Sequence, residues 1–273
     1  MECYYYIPAK LKGISPVIWE YKVGDGNPQK WKMLPEFNID LIFNLSKPWA
    51  VHNDIYAKRS FNPTANFCFL SGLHTKPLYT EFSHGHMLGI RLNTIAAHLL
   101  FGMPCKELKN WSLEGDSILK HKLSYIQDHI GSLPDFQSRA LWLEDFVYSL
   151  TSHDADFGMV NKITSLLDKI CTVKQDDKTI RIEDMTGYSR MHTTRLFHKW
   201  FGLAPSEALA YKRYENALNQ IHYSSASMTD IGLNNGFYDQ PHFIRVFKQF
   251  AEMTPRQYLL QKTELIGQLP YDQ

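Results

Sequence analysis

The chain has 273 residues, 44% of them apolar and 14% aromatic, with a formal net charge of +1. That composition supports sizeable hydrophobic cores and excludes a disordered chain or a polycation, while the length allows one large or two medium domains. The charge is uneven: residues 1–159 carry 15 Lys+Arg against 16 Asp+Glu, and residues 160–262 carry 14 against 10, with four His. A basic excess confined to one end fits a nucleic-acid module beside a near-neutral partner domain.

Residues 1–92 read as β. Phe37, Ile39, Leu41, Phe43 and Leu45 recur at every second position, with Asn38, Asp40 and Asn44 between them, as in a strand with one buried face. Short apolar runs follow at Asn66–Leu70 and His86–Leu92, and Gly24-Asp25-Gly26, Lys47-Pro48, Asn62-Pro63 and Lys76-Pro77 punctuate them. Strands at turn-marked intervals predict a small barrel-like or sandwich domain. Trp19, Trp31, Phe43, Trp49, Phe67 and Phe69 supply aromatics for its core or for an apolar pocket. His84-Gly85-His86 has the alternate spacing of a metal pair on a strand, but His52 and His74 are the only companions, so neither metal nor cofactor is expected.

Helical spacing takes over at residue 94. Thr94–Phe101 reads as a short helix stopped by Gly102 and Pro104. Asp116 reads as the N-cap of a helix to Ile130 with Leu119, Leu123, Ile126 and Ile130 on its apolar face, and a second helix runs from Pro134 to Leu150. The organisation expected is a sensor or dimerisation domain over 1–150, a polar linker at 151–159, a helical domain over 160–262 and a tail at 263–273. Cys3, Cys68, Cys105 and Cys171 are scattered without a CxxC, which argues against a zinc ribbon or disulfide framework and suits a reducing cytoplasm. No basic segment precedes an apolar run at the start, and no stretch approaches a membrane span, so a cytoplasmic protein with no membrane partner is expected.

The last hundred residues contain a repeat at an offset of 50: Arg195-Leu196-Phe197 with Gly202-Leu203-Ala204-Pro205, then Arg245-Val246-Phe247 with Glu252-Met253-Thr254-Pro255. A turn precedes each copy, Thr186-Gly187-Tyr188-Ser189 and Asn235-Gly236-Phe237-Tyr238-Asp239. Gly187 and Gly236 can take the positive φ that ends one helix, Ser189 and Asp239 can cap the next, and Pro205 and Pro255 can each begin a further helix. Helix, tight turn and capped second helix is the helix-turn-helix layout.

The run Gly236-Phe237-Tyr238-Asp239-Gln240-Pro241-His242-Phe243, with Phe247-Lys248 and Thr254-Pro255-Arg256-Gln257-Tyr258, resembles the signature of the AraC/XylS family of transcription regulators. The resemblance covers about 100 residues. It implies an α+β two-domain protein whose all-α C-terminal domain holds two helix-turn-helix units on a long helix over about Pro205–His222, roughly 27 Å long. That length could set two recognition helices about one DNA turn apart, roughly 34 Å. The sequence departs from the pattern at Glu183, where a small residue is usual, and at Glu252, where glycine is usual. A positive φ at Glu252 would cost on the order of 1 kcal/mol. Gly89-Ile90-Arg91-Leu92 and Gly102-Met103-Pro104 resemble an uncharacterised class of AraC-associated sensor domains, a likeness that names no ligand.

By the same resemblance, recognition helix one spans Arg190–Phe201 and presents Arg190, Met191, Thr194, Arg195 and His198 to DNA bases. Recognition helix two spans Gln240–Phe250 and presents Gln240, Pro241, His242 and Arg245. Arg195 and Arg245 hold the same place in the two copies and can each donate two bonds to guanine. Ser189, Lys199, Asp239 and Lys248 are assigned to phosphate contacts, which fix register. The expected partners are double-stranded DNA, a small-molecule effector at the N-terminal domain, and RNA polymerase for an activator; the 116–150 helices either pack on their own barrel or join a second copy of the chain. The rival readings are a regulator acting mainly through protein partnership and an alkyl-transfer repair enzyme fused to such helices. The latter lacks its cysteine cluster here, no hydrolase, nucleotide or protease motif appears, and Glu144-Asp145 reads as a solvated helix face, so no enzyme is expected.

Overall fold

The computed structural model describes residues 2–24, 29–46, 50–52, 68–82, 85–119, 122–151, 164–165, 167 and 187–271. The N-terminal half is built from two antiparallel sheets. The first has six strands in the order β1 (Glu2–Tyr6), β2 (Val17–Val23), β8 (Gly85–Asn93), β4 (Asn38–Asn44), β6 (Cys68–Ser71) and β9 (Ser112–Glu114). The second has four, β10 (Gln268–Pro270), β3 (Gln29–Met33), β7 (Leu78–Phe82) and β5 (Ala50–His52). The sheets do not close into one barrel. Residues 263–273, expected as a tail, instead carry β10, which pairs with β3 through Gln268–Met33, Leu269–Lys32 and Pro270–Trp31.

Alternation along β4 sets the layering. Ile39, Leu41 and Phe43 are fully buried with Ile18, Leu88, Ile90 and Leu92 in the main core. Asn38, Asp40 and Ile42 point to the opposite face, toward the second sheet, and line a cavity of about 160 Å³ between the sheets. Of the aromatics singled out in the sequence, Trp19 and Phe69 line that cavity, whereas Phe43 belongs to the main core. Gly89 makes this possible. A Cβ there would lie 2.2 Å from the Trp19 indole, so only glycine lets that ring lie flat across β8.

Helices α1 (Ala96–Phe101), α2 (Gly115–Leu119), α3 (Leu123–Ser132) and α4 (Phe136–Leu150) follow, with a 3₁₀ turn at Cys105–Leu108 between α1 and α2. The single helix expected from Asp116 to Ile130 is two, and Asp116 lies in the first turn of α2 rather than capping it. The apolar face is as expected, since Leu119, Leu123, Ile126 and Ile130 are all buried. Helix α4 is tied to the first sheet by a buried ion pair: Arg139 Nε and Nη2 lie 2.6 and 2.9 Å from the Glu20 carboxylate. Glu144 is not on a solvated face. It is buried and accepts from Tyr6 Oη at 2.8 Å and from the Lys10 backbone N–H at 2.6 Å, because β1 lies across it. Asp145 alone faces solvent and pairs with Lys10.

The C-terminal part is helical: α5 (Arg190–Phe201), α6 (Pro205–Tyr223), α7 (Met228–Asn234), α8 (Gln240–Ala251) and α9 (Pro255–Gln261). Phe201, Leu203, Tyr211, Tyr214, Phe243 and Phe247 continue the core that begins in the sheet domain. The expected linker lies outside the described residues except for Thr151, and so do Glu183 and Cys171. No helix among the described residues is long and apolar enough to cross a membrane.

Candidate nucleic-acid interface

Local chemistry fixes both recognition helices. Gly187 and Gly236 take φ 72° and 70° at the turns. Ser189 then caps α5, accepting from His192 N at 3.3 Å, and Asp239 caps α8, accepting from His242 N at 2.7 Å. Pro241 sits in the first turn of α8, where its missing N–H costs nothing. In the second unit Gly232 of α7 lets Phe243 of α8 pack close, since a Cβ there would come within 3.3 Å of that ring. Helix α6 links the units, and Lys262 closes its C-terminal end by donating to the carbonyls of Ile221 and His222 at 3.2 and 2.5 Å.

Helix α5 turns Thr193, Phe197 and Phe201 inward. Its other face brings Arg190, Met191, Thr194, Arg195 and His198 together around one shallow open depression. Met191 is 83% exposed. Thr194 Oγ1 donates to the Arg190 carbonyl at 2.9 Å, and Arg195 Nη2 lies 3.1 Å from His192 Nδ1, which steers the guanidinium along the helix. Helix α8 buries Phe243, Val246, Phe247 and Phe250 and leaves Pro241, His242 and Arg245 around a second depression, with Gln240 exposed at its start. His242 Nδ1 accepts from the Tyr238 backbone N–H at 3.3 Å, which leaves Nε2 as the ring's donor. Burial, with Arg245 and Arg213 nearby, lowers this His from the ordinary imidazole value.

Lys199 and Lys248 are exposed toward the helix C-termini, while the Ser189 and Asp239 side chains are engaged as caps. Sequence reasoning missed Tyr238, 76% exposed and lining the second depression. Its place between the turn glycine and the capping Asp239 was the available signal.

Comparisons agree with this geometry. A family described as a helix-turn-helix domain matches residues 182–261, and a domain of unknown function (DUF6597) matches residues 8–114. An uncharacterised HTH-type transcriptional regulator of Staphylococcus aureus (strain MSSA476) is 30% identical over 99 residues, 36% of this chain and 13% of that protein. One from Haemophilus influenzae is 28% identical over 98 residues, 36% of this chain and 33% of that protein. The matched segment is thus a third or less of these relatives' length. The crystal structure of unsaturated-fatty-acid-bound ToxT from Vibrio cholerae superposes with a TM-score of 0.51 at 14% identity, covering 92% of this chain and 96% of that one. That likeness concerns the two-domain fold. Two capped recognition helices joined by one long helix define an AraC-type DNA-binding domain. Residues 182–261 are thus a helix-turn-helix domain of AraC type, of the kind found in HTH-type transcriptional regulators.

Proposed function

We propose that this protein is a sequence-specific transcription regulator that reads two successive major grooves of one duplex with α5 and α8. The observation that carries it is the pair of open faces. On one helix Phe197 and Phe201 pack inward, on the other Phe243, Val246, Phe247 and Phe250 do, and an Arg at the equivalent position, Arg195 or Arg245, is left exposed beside further polar side chains. Arg is the side chain best suited to bidentate reading of guanine. Selection of bound sites from random duplex DNA with the full chain tests this. Two short boxes about one helical turn apart are the expected result. No enrichment overturns it and favours the alternative of a regulator working through protein partnership.

Control by a small molecule at the N-terminal domain is the second part of the reading. The Tyr211 hydroxyl, on α6, lies 2.5 Å from the His74 carbonyl and 2.9 Å from the Glu36 carbonyl, and both residues line the cavity between the sheets. Phe37 N donates to Glu215 of the same helix at 2.8 Å. An occupant that shifts residues 36–38 or 71–74 thereby moves the helix that spaces the two recognition helices. It acts to the extent that it binds the two arrangements unequally. ToxT was crystallised with a fatty acid, which makes an effector here a natural analogy. Dimerisation would use the outward face of α3 and α4, where Tyr125, Leu141 and Tyr148 are exposed, and sedimentation of the full chain reads it.

A further inference from the structure

We propose that the cavity between the two sheets takes a compact, uncharged ring compound and discriminates against anions. The inference rests on the effector reading above and narrows it to a ligand class. Size sets the first limit. The cavity holds about 160 Å³, and an apolar cavity of about 150 Å³ accommodates benzene. The wall chemistry sets the second: Trp19, Phe69 and Met87 form an apolar cluster apart from the main core, a surface suited to a flat ring.

Charge sets the third. Among the described residues lining the cavity, Arg91 is the one permanent cation, and two carboxylates bracket it. Its Nε lies 3.2 Å from Asp40 Oδ1, and its Nη1 is paired with the Glu36 carboxylate. Asp40 Oδ1 also accepts from Trp19 Nε1 at 3.2 Å. His74 adds no charge, since burial lowers it to about 4. An entering anion would have to pull Arg91 from a carboxylate and leave that group unpaired in a site of low polarity, which is costly. Burial raises the Glu36 carboxyl to about 7, so above that pH it is ionised and holds its arm of Arg91 against an entering anion. An uncharged ligand disturbs none of this. Thr80 Oγ1 and His74 Nδ1, on lining residues, are buried without a hydrogen-bond partner among the described residues, so a ligand with both a donor and an acceptor suits the site.

Benzamide and benzoate have the same shape and differ in charge, so titration calorimetry of the full chain with each, without DNA, isolates the effect. Benzamide is expected to bind saturably and benzoate at least about ten-fold more weakly. In buffer above pH 7, where Glu36 is ionised, Glu36→Gln frees one arm of Arg91 and should narrow or reverse that preference. Thr80→Trp, or Ile42→Trp from the facing sheet if the first fails to fold, should fill the cavity and abolish binding. Benzoate binding as tightly as benzamide, benzamide binding that survives the filled cavity, or no saturable benzamide binding would each overturn the proposal. Sequence-selective DNA binding would stand in all three cases. Benzamide binding in the cavity with no change in DNA affinity would instead keep the ligand class and sink the effector reading.

Discussion

The two recognition helices end in the same backbone conformation and reach it with different chemistry. Gly202 closes α5 at φ 67°, and fifty residues later Glu252 closes α8 at φ 56°. Both ends face the sheet domain. At Gly202 the 3₁₀ turn comes so close that a Cβ would lie 2.8 Å from the Cys105 carbonyl oxygen, and only glycine satisfies both demands. At Glu252 the approach is looser, and the side chain reaches across: its carboxylate lies 3.5 Å from Lys76 Nζ and accepts from Tyr79 Oη at 3.2 Å. The first unit is docked by contact with backbone, and the second is held by a partly exposed polar tether. The departure from the family glycine, a local cost when read from the chain alone, is a contact between domains.

The largest expected effect falls on DNA. Arg195→Ala and Arg245→Ala should each weaken binding to the selected site by about 1–3 kcal/mol, with little change on random DNA. Quantitative gel shifts measure both, and a loss confined to Arg245 would mean that one unit reads bases. Gly202→Ala should lower the unfolding free energy by about 1–3 kcal/mol, because it adds strain to an overlap with backbone that cannot give. The matching Gly187→Ala, where nothing among the described residues lies within 4 Å, should show the strain without the overlap. A urea melt separates the two. Tyr211→Phe keeps the ring against Phe37 and Phe250 but strips the hydroxyl from two carbonyls, so a loss of about 1–2 kcal/mol is expected.

The pH dependence sharpens the contrast between domains, since among the described residues the largest carboxylate shifts, at Glu36 and Glu20, lie in the sheet domain. Glu36 is raised from 4.5 to about 7, so the folded state holds the proton more tightly and this group's contribution to stability falls as pH rises through that window. Glu20, beside Arg139 and His86, is lowered to about 2, so its contribution is full above 4.5 and is lost as pH falls through that range. Melting temperatures of Glu36→Gln should therefore drop less than those of the unaltered chain between mildly acidic and neutral pH. The smallest effect is Glu252→Gly. Relief of the left-handed strain, worth up to about 1 kcal/mol, is offset by loss of a surface pair worth about 0–1 kcal/mol. Global stability should hardly move, while hydrogen exchange near Lys76 and Tyr79 should rise. Unchanged exchange there would remove the tether from the comparison.

What the chain determined by itself is the pair of capped helices α5 and α8. The bounds of α5 and the start of α8 follow from Ser189, Asp239 and the turn glycines, because caps and turns act over a few residues. The exposed positions follow from which residues the 3.6-residue period leaves after the apolar face is counted. Tertiary structure decided what the second sheet covers. A period of two shows that Asn38 and Asp40 share a face, but not whether that face meets water or another sheet. The same limit hid Glu144 beneath β1 and left residues 268–270 as a tail, because a three-residue strand gains its stability from the partner it joins. Tyr211 shows the limit most plainly. Its place on the inner face of α6 could be read from periodicity, but its hydroxyl finds two carbonyls more than a hundred residues away, and only the packed fold brings them together.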